Sequence, residues 1–147
     1  MNSVPFRILV LDIVGTLVSG DGTYRARPGL KDFLLECSEK FQRIYVMTEL
    51  TEEAALHVLK ALAKDGSAPP WAGELTYVHW NGSKDLFFVP GYFDACDVVL
   101  VDDDPYAIAA GQEGLHVWIS TYDPARKLDE YGFPEVLEVL RRRKVKA

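Results

Sequence analysis

Five short stretches of the chain are rich in apolar residues and bounded by polar ones. Phe6–Leu11, Arg43–Met47, Asp97–Val101 and Leu115–Ile119 are apolar with little alternation, the pattern of strands covered on both faces. Leu75–Trp80 has strand composition and is followed by Asn81-Gly82, a turn signal. Between the strands the apolar period changes. Pro28 opens a predicted helix in which Leu30, Phe33, Leu34, Cys37 and Phe41 recur at helical spacing. Thr51 is placed to cap a second helix, with Glu52 and Glu53 in its first turn, Leu56, Leu59, Leu62 and Ala63 inward, and Gly66 as a left-handed stop. Tyr106–Gln112 reads as a short helix ending near Gly114, and Pro134–Lys144 as a closing helix with Val136, Leu137 and Leu140 inward. Val18–Ala26 and Ser67–Gly73 read as loops. Strands alternating with helices predict an α/β fold: a three-layer, doubly wound, Rossmann-like parallel sheet with right-handed crossovers.

The chain has 147 residues, enough for one domain with a sizeable core, and residues 1–147 show no repeat or linker that would divide it. No apolar run reaches the roughly 18 residues of a membrane span. Met1–Pro5 carry no basic stretch ahead of an apolar block, which argues against a secretory leader. Cys37 and Cys96 have no metal-binding spacing, and Cys37 falls on an apolar helical face. A cytoplasmic location is the expectation. The net charge of −6 argues against broad binding to nucleic acid, which needs cations to neutralise phosphates. The one basic run, Arg141-Arg142-Arg143-Lys144 with Lys146 beyond it, ends a predicted helix, where cations complement the helix dipole.

Three of the predicted strands end in polar groups: Asp12, Thr48 and Asp102-Asp103-Asp104. Open α/β sheets place their ligand crevice at these carboxyl ends. Two aspartate sites gathered at one sheet edge repel each other, and a divalent cation relieves the repulsion. An all-oxygen ligand set selects Mg²⁺, which brings in phosphate and neutralises its charge. Lys84 can supply a second positive contact, and an aspartate facing a bound phosphate can attack it.

These residues resemble the motifs of the haloacid dehalogenase superfamily: Asp12-Ile13-Val14-Gly15-Thr16 the first, Val46-Met47-Thr48 the second, Lys84 the third and Val101-Asp102-Asp103-Asp104-Pro105 the fourth. Arg27-Pro28-Gly29-Leu30-Lys31-Asp32-Phe33-Leu34, Thr48-Glu49-Leu50 and Lys84-Asp85-Leu86 are similar to the capless phosphatases related to NLI-interacting factor and the small C-terminal-domain phosphatases. The resemblance implies that Asp12 is nucleophile and Mg²⁺ ligand, that the Val14 carbonyl and Asp103 are further ligands with Asp102 beside them, and that Thr48 and Lys84 hold the phosphoryl oxygens.

One position departs from the pattern. Phosphatases of this superfamily carry a second aspartate, two residues after the nucleophile, that protonates the leaving oxygen and then activates water. Here it is Val14, and loss of a general acid–base costs about 10²–10⁴-fold. The expectation is a phosphohydrolase with an aspartyl-phosphate on Asp12, weak or restricted to good leaving groups such as aryl phosphates. Two alternatives are a non-catalytic phosphatase-like binding module and a hydrolase cleaving carbon–halogen or carbon–phosphorus bonds, for which branches without this aspartate are known. Val18–Ala26 and Ser67–Ser83 are too short for a cap domain, so a large phosphorylated substrate, a partner or a second subunit would cover the site. Glu49, directly after Thr48, and Asp104 are carboxylates from elsewhere in the chain that are candidates to replace the missing acid. Tyr77, His79 and Trp80 read first as strand packing and second as a lining of the site's mouth, and His57 and His116 read as structural.

Overall fold

A computed structural model describes residues 4–126 and 129–145. Residues 1–3, read above for a leader, and Lys146 lie outside them. Five strands form one parallel sheet: β1 (Arg7–Leu11), β2 (Arg43–Val46), β3 (Thr76–Tyr77), β4 (Asp97–Asp102) and β5 (His116–Trp118), in the order β3-β2-β1-β4-β5. The three α-helices are α1 (Leu30–Lys40), α2 (Glu52–Lys64) and α3 (Phe133–Arg142). The chain moves outward from β1 to β3, then returns to the other side of β1 for β4 and β5. This order creates a switch point between β1 and β4, where α/β sheets open a crevice. The fold is the α/β, Rossmann-like class that the sequence predicts.

Register explains how the two sheet faces differ. Leu9 pairs with Ile44 and Val99, and Leu11 with Val46 and Val101. These side chains form one core with Leu30, Phe33 and Leu34 of α1, Val58, Leu59 and Leu62 of α2, and Phe133, Val136 and Leu140 of α3. Ile8, Val10, Tyr45, Val98 and Leu100 point to the opposite face and pack with Leu86, Val89 and Ile108. All three α-helices therefore contribute to one core. The β3→β4 and β4→β5 crossovers contribute to the other, through irregular chain and 3₁₀ turns at Leu86–Phe88, Tyr92–Asp94 and Glu113–Leu115.

Several elements differ from the sequence reading. Tyr106–Gln112 is not a helix, because the Lys84 N–H donates to the Ala107 carbonyl (2.7 Å) and the Ala109 N–H to the Lys84 carbonyl (3.1 Å). That two-bond ladder holds Ala107–Ala109 extended against Lys84. Pro28 lies outside α1, since Gly29 adopts φ 84° and helical geometry begins at Leu30. The strand expected over Leu75–Trp80 contracts to Thr76–Tyr77 (β3), and a 3₁₀ turn at Pro70–Glu74 takes up much of the expected loop Ser67–Gly73. On α2 the inward residues are Ala55, Val58, Leu59 and Leu62, with Leu56 only half-buried. Thr51 caps α2 through the Ala54 N–H (3.2 Å) and Gly66 takes φ 84°, both as expected. No helix among the described residues is long and apolar enough to cross a membrane.

Candidate active site

The end of β1 is held in place by backbone geometry. Asp12 donates its N–H to the Val101 carbonyl (3.0 Å), which keeps it in the sheet, and the chain then turns on Ile13, whose carbonyl accepts from Thr16, Leu17 and Val18. Gly15 sits at φ 85° within this turn, and a Cβ there would collide with the Asp103 carboxylate. The first motif thus needs glycine for its backbone angle and for the close approach of Asp103.

Asp12, Asp102 and Asp103 each offer a carboxylate oxygen within 4.8 Å of the others. Lys84 is buried among them, its Nζ 3.1 Å from Asp12 Oδ1 and 2.5 Å from Asp102 Oδ2. Burial pushes the Asp12 carboxyl well above the ordinary carboxylate range; Lys84 opposes this, while Asp102 and Asp103 add to it. Asp102 is likewise raised by burial against the pull of Lys84. Burial alone would lower the Lys84 ammonium, but Asp12 and Asp102 outweigh it and leave its pKa raised. One cation against three carboxylates leaves surplus negative charge in a poorly solvated place. The all-oxygen donor set and that surplus suit a hard divalent cation such as Mg²⁺.

Hydroxyl groups orient the cluster. The Thr16 hydroxyl lies 2.9 Å from Asp12 Oδ2 and 3.3 Å from Asp103 Oδ1, and accepts the Asp103 N–H at 3.2 Å. Thr121 donates to Asp103 Oδ2 (2.8 Å). Asp102 is held by Lys84 on one oxygen and by the Asp104 N–H on the other (2.9 Å), so each of the three carboxylates has both oxygens engaged. The Val14 carbonyl accepts no hydrogen bond among the described residues, and Val14 itself lines the cleft.

The cleft has a volume of about 430 Å³ and brings together Asp12, Val14, Lys84, Asp102 and Asp103. Thr48 is buried beside it but is not part of its wall; its hydroxyl accepts the Leu50 N–H (3.3 Å). Its neighbour Glu49 does line the cleft, as does Asp104. Two aromatic donors fix this second-motif loop: the Trp80 indole N–H to the Thr48 carbonyl (2.9 Å) and the Tyr77 hydroxyl to the Leu50 carbonyl (2.7 Å). Trp80 also lines the cleft, its ring 5.3 Å from the Lys84 Nζ, so it is both packing and wall. His79 instead meets Glu52 on the surface (3.1 Å), and His116 contacts the Asp102 carbonyl (3.0 Å).

Arg27, the first residue of the stretch that resembles the capless phosphatases, has a role that its local sequence does not reveal. It is fully buried and pairs with Asp129, and it donates to the carbonyls of Gly15 (3.3 Å), Thr16 (3.3 Å) and Ser120 (2.7 Å). Its one visible signal was an arginine directly before Pro28-Gly29-Leu30, at the edge of an apolar helix. The basic run ending α3 is largely neutralised: Arg141 pairs with Glu36, Arg142 with Glu138 and Arg143 with Asp97.

No curated protein matches the chain. The family of NLI interacting factor-like phosphatases matches residues 7–143, a span that includes every strand, the buried Lys84 and the aspartates of both strand ends. With this architecture and coverage, the chain belongs to the NLI interacting factor-like phosphatase family.

Proposed function

We propose that the protein is a Mg²⁺-dependent phosphohydrolase that forms an aspartyl-phosphate on Asp12 and lacks the usual acid–base aspartate at position 14. The observation that carries this reading is the Lys84 ammonium, buried 3.1 Å from Asp12 in a cleft shared with Asp102 and Asp103. Asp12, the Val14 carbonyl and Asp103 would hold the metal, with Asp102 engaged chiefly by Lys84. Mg²⁺, when bound, neutralises phosphoryl charge and orients the group toward Asp12. An Asp12 oxygen forms a bond to phosphorus as the bond to the leaving oxygen breaks, and that oxygen departs with the electron pair. Lys84 balances the charge of the transferring oxygens. Thr48 contributes through the loop that carries Glu49 rather than as part of the cleft wall. Water then hydrolyses the aspartyl-phosphate.

Val14 cannot move a proton in either half of this sequence. Substrates whose leaving oxygen needs no protonation are therefore favoured, and the phosphoenzyme accumulates. The test is turnover of an aryl phosphate with Mg²⁺ by the wild type, Asp12→Asn and Val14→Asp. We expect Asp12→Asn to abolish turnover and Val14→Asp to raise it by about 10²-fold or more. Unchanged turnover in Asp12→Asn would falsify the reading. Glu49→Gln checks whether the exposed carboxylate of the same cleft serves as the acid; a fall of about tenfold or more assigns it that role.

The half-buried Val14 side chain in the cleft wall favours a second reading, a phosphatase fold retained to bind a phosphorylated ligand. It is supported by Mg²⁺-dependent phosphate binding without Asp12-dependent turnover on any ester.

A further inference from the structure

Next to the cleft, and sharing Trp80 with it, is a second hollow of about 360 Å³ bounded by His79, Trp80, Asn81, Ser83 and Phe88. Trp80 belongs to both spaces. Its ring stands 5.3 Å from the Lys84 Nζ, and that Nζ touches Asp12. Phe88 is 71% exposed, with its ring free to form the outer side of the hollow. A mainly aromatic hollow that shares a wall residue with a polar centre has the form of a small-molecule subsite.

Charge limits what can enter. Asp12, Glu49, Asp102, Asp103 and Asp104 line the cleft, and Lys84 is its one cation among the described residues. A substrate with a second phosphate would meet carboxylates with no further cation to receive it. A single phosphate on a neutral apolar body meets no such penalty. The absent acid at Val14 imposes an independent condition, since the leaving oxygen must depart as a stable anion. A phenolate meets both conditions.

We infer that the Trp80–Phe88 hollow is a leaving-group subsite for the aromatic ring of a phenolic phosphate monoester. This rests on the reading of the cleft as a phosphoryl-transfer site. As the Asp12–phosphorus bond forms, the bond from phosphorus to the phenolic oxygen breaks. The phenolate leaves with the electron pair and takes its proton from water. The ring stays between Trp80 and Phe88 until release.

Phenyl phosphate and acetyl phosphate separate subsite from chemistry, because both have good leaving groups and only one has a ring. Phe88 is not part of the wall of the cleft that holds Asp12, Lys84 and Asp103, and its exposure makes Phe88→Ala safe for folding. We expect Phe88→Ala to raise the KM for phenyl phosphate about tenfold and to leave acetyl phosphate kinetics unchanged. Equal effects on both substrates, or none on either, overturn the subsite. A small phenolic phosphate and a phosphotyrosine in a peptide present the same chemistry, so a phosphotyrosyl peptide is assayed alongside. A Phe88 effect confined to one assigns the source, and an effect with neither overturns the proposal. Calorimetric binding of phenylphosphonate and methylphosphonate in Mg²⁺ needs no turnover and stands even if Asp12 proves not to be the nucleophile. About tenfold tighter binding of the phenyl compound, lost in Phe88→Ala, supports the subsite; equal binding of the two overturns it.

Discussion

At the scale of single residues, the site is a problem of surplus charge. The Asp12 pKa is raised by burial in the folded protein, whereas the unfolded chain returns it to about 3.9. A carboxyl raised on folding makes the native state lose stability as pH climbs from the unfolded pKa through the folded one. The metal-free protein should therefore melt lower at pH 7 than a version without this charge. Asp12→Asn in EDTA is expected to melt higher than wild type at pH 7, with the gain disappearing near pH 3, where the carboxyl is protonated in both states. A thermal scan at the two pH values checks this, and equal melting at pH 7 would overturn the raised pKa of Asp12. The thiols give a second contrast. Burial pushes Cys37 up to about 12, while Cys96 is only half-buried. Iodoacetamide at pH 8 should label Cys96 in the native protein and Cys37 only after denaturation, as read by peptide mass. Of these residue-level features, Asp12, Lys84 and Asp103 were legible from strand ends and resemblance. The bridging of Asp12 and Asp103 by Thr16 was not, because it joins residues 87 apart.

The elements show which forces position that chemistry. Phe33 of α1 and Phe133 of α3 stack with ring centroids 4.2 Å apart, both buried, and the Arg27 guanidinium lies 5.3 Å from the Phe133 ring. Phe33→Ala should cost about 3–5 kcal/mol, measured by the shift of the urea midpoint. The Arg141–Glu36 ion pair also joins these helices but is solvent-exposed, so Arg141→Ala should leave the urea midpoint nearly unchanged. The periodicity of α1 and α2 was readable because their inward faces are plain apolar stripes. Tyr106–Gln112 was not, because its conformation is set by hydrogen bonds to Lys84, distant in sequence. The supposed helix is in fact the backbone clamp on Lys84. A local pattern cannot register a segment whose partners lie elsewhere in the chain.

For the whole molecule, strand order decides where chemistry can occur. The reversal at β1 brings Asp12 beside Asp102 and Asp103, and the segments where a cap could be inserted, residues 12–29 and 78–96, hold only bends, bridges, turns and 3₁₀ turns. Sequence alternation predicted the sheet, and the shortness of Val18–Ala26 and Ser67–Ser83 predicted that neither carries a cap. It could not predict that all three helices share one core, which follows from the direction of each crossover. Nor could it predict Arg27, whose partner Asp129 is 102 residues away. Arg27 grips the carbonyls of Gly15, Thr16 and Ser120 at once, while the Tyr122 N–H donates to Gly15 (2.8 Å). The turn after β1 and the segment after β5 consequently have no independent way to open. In native-state hydrogen exchange, the amides of Leu17, Ser120 and Tyr122 should share one opening free energy despite their distance in sequence. Asp129→Asn should speed all three together and leave Val99, in the centre of the sheet, unchanged.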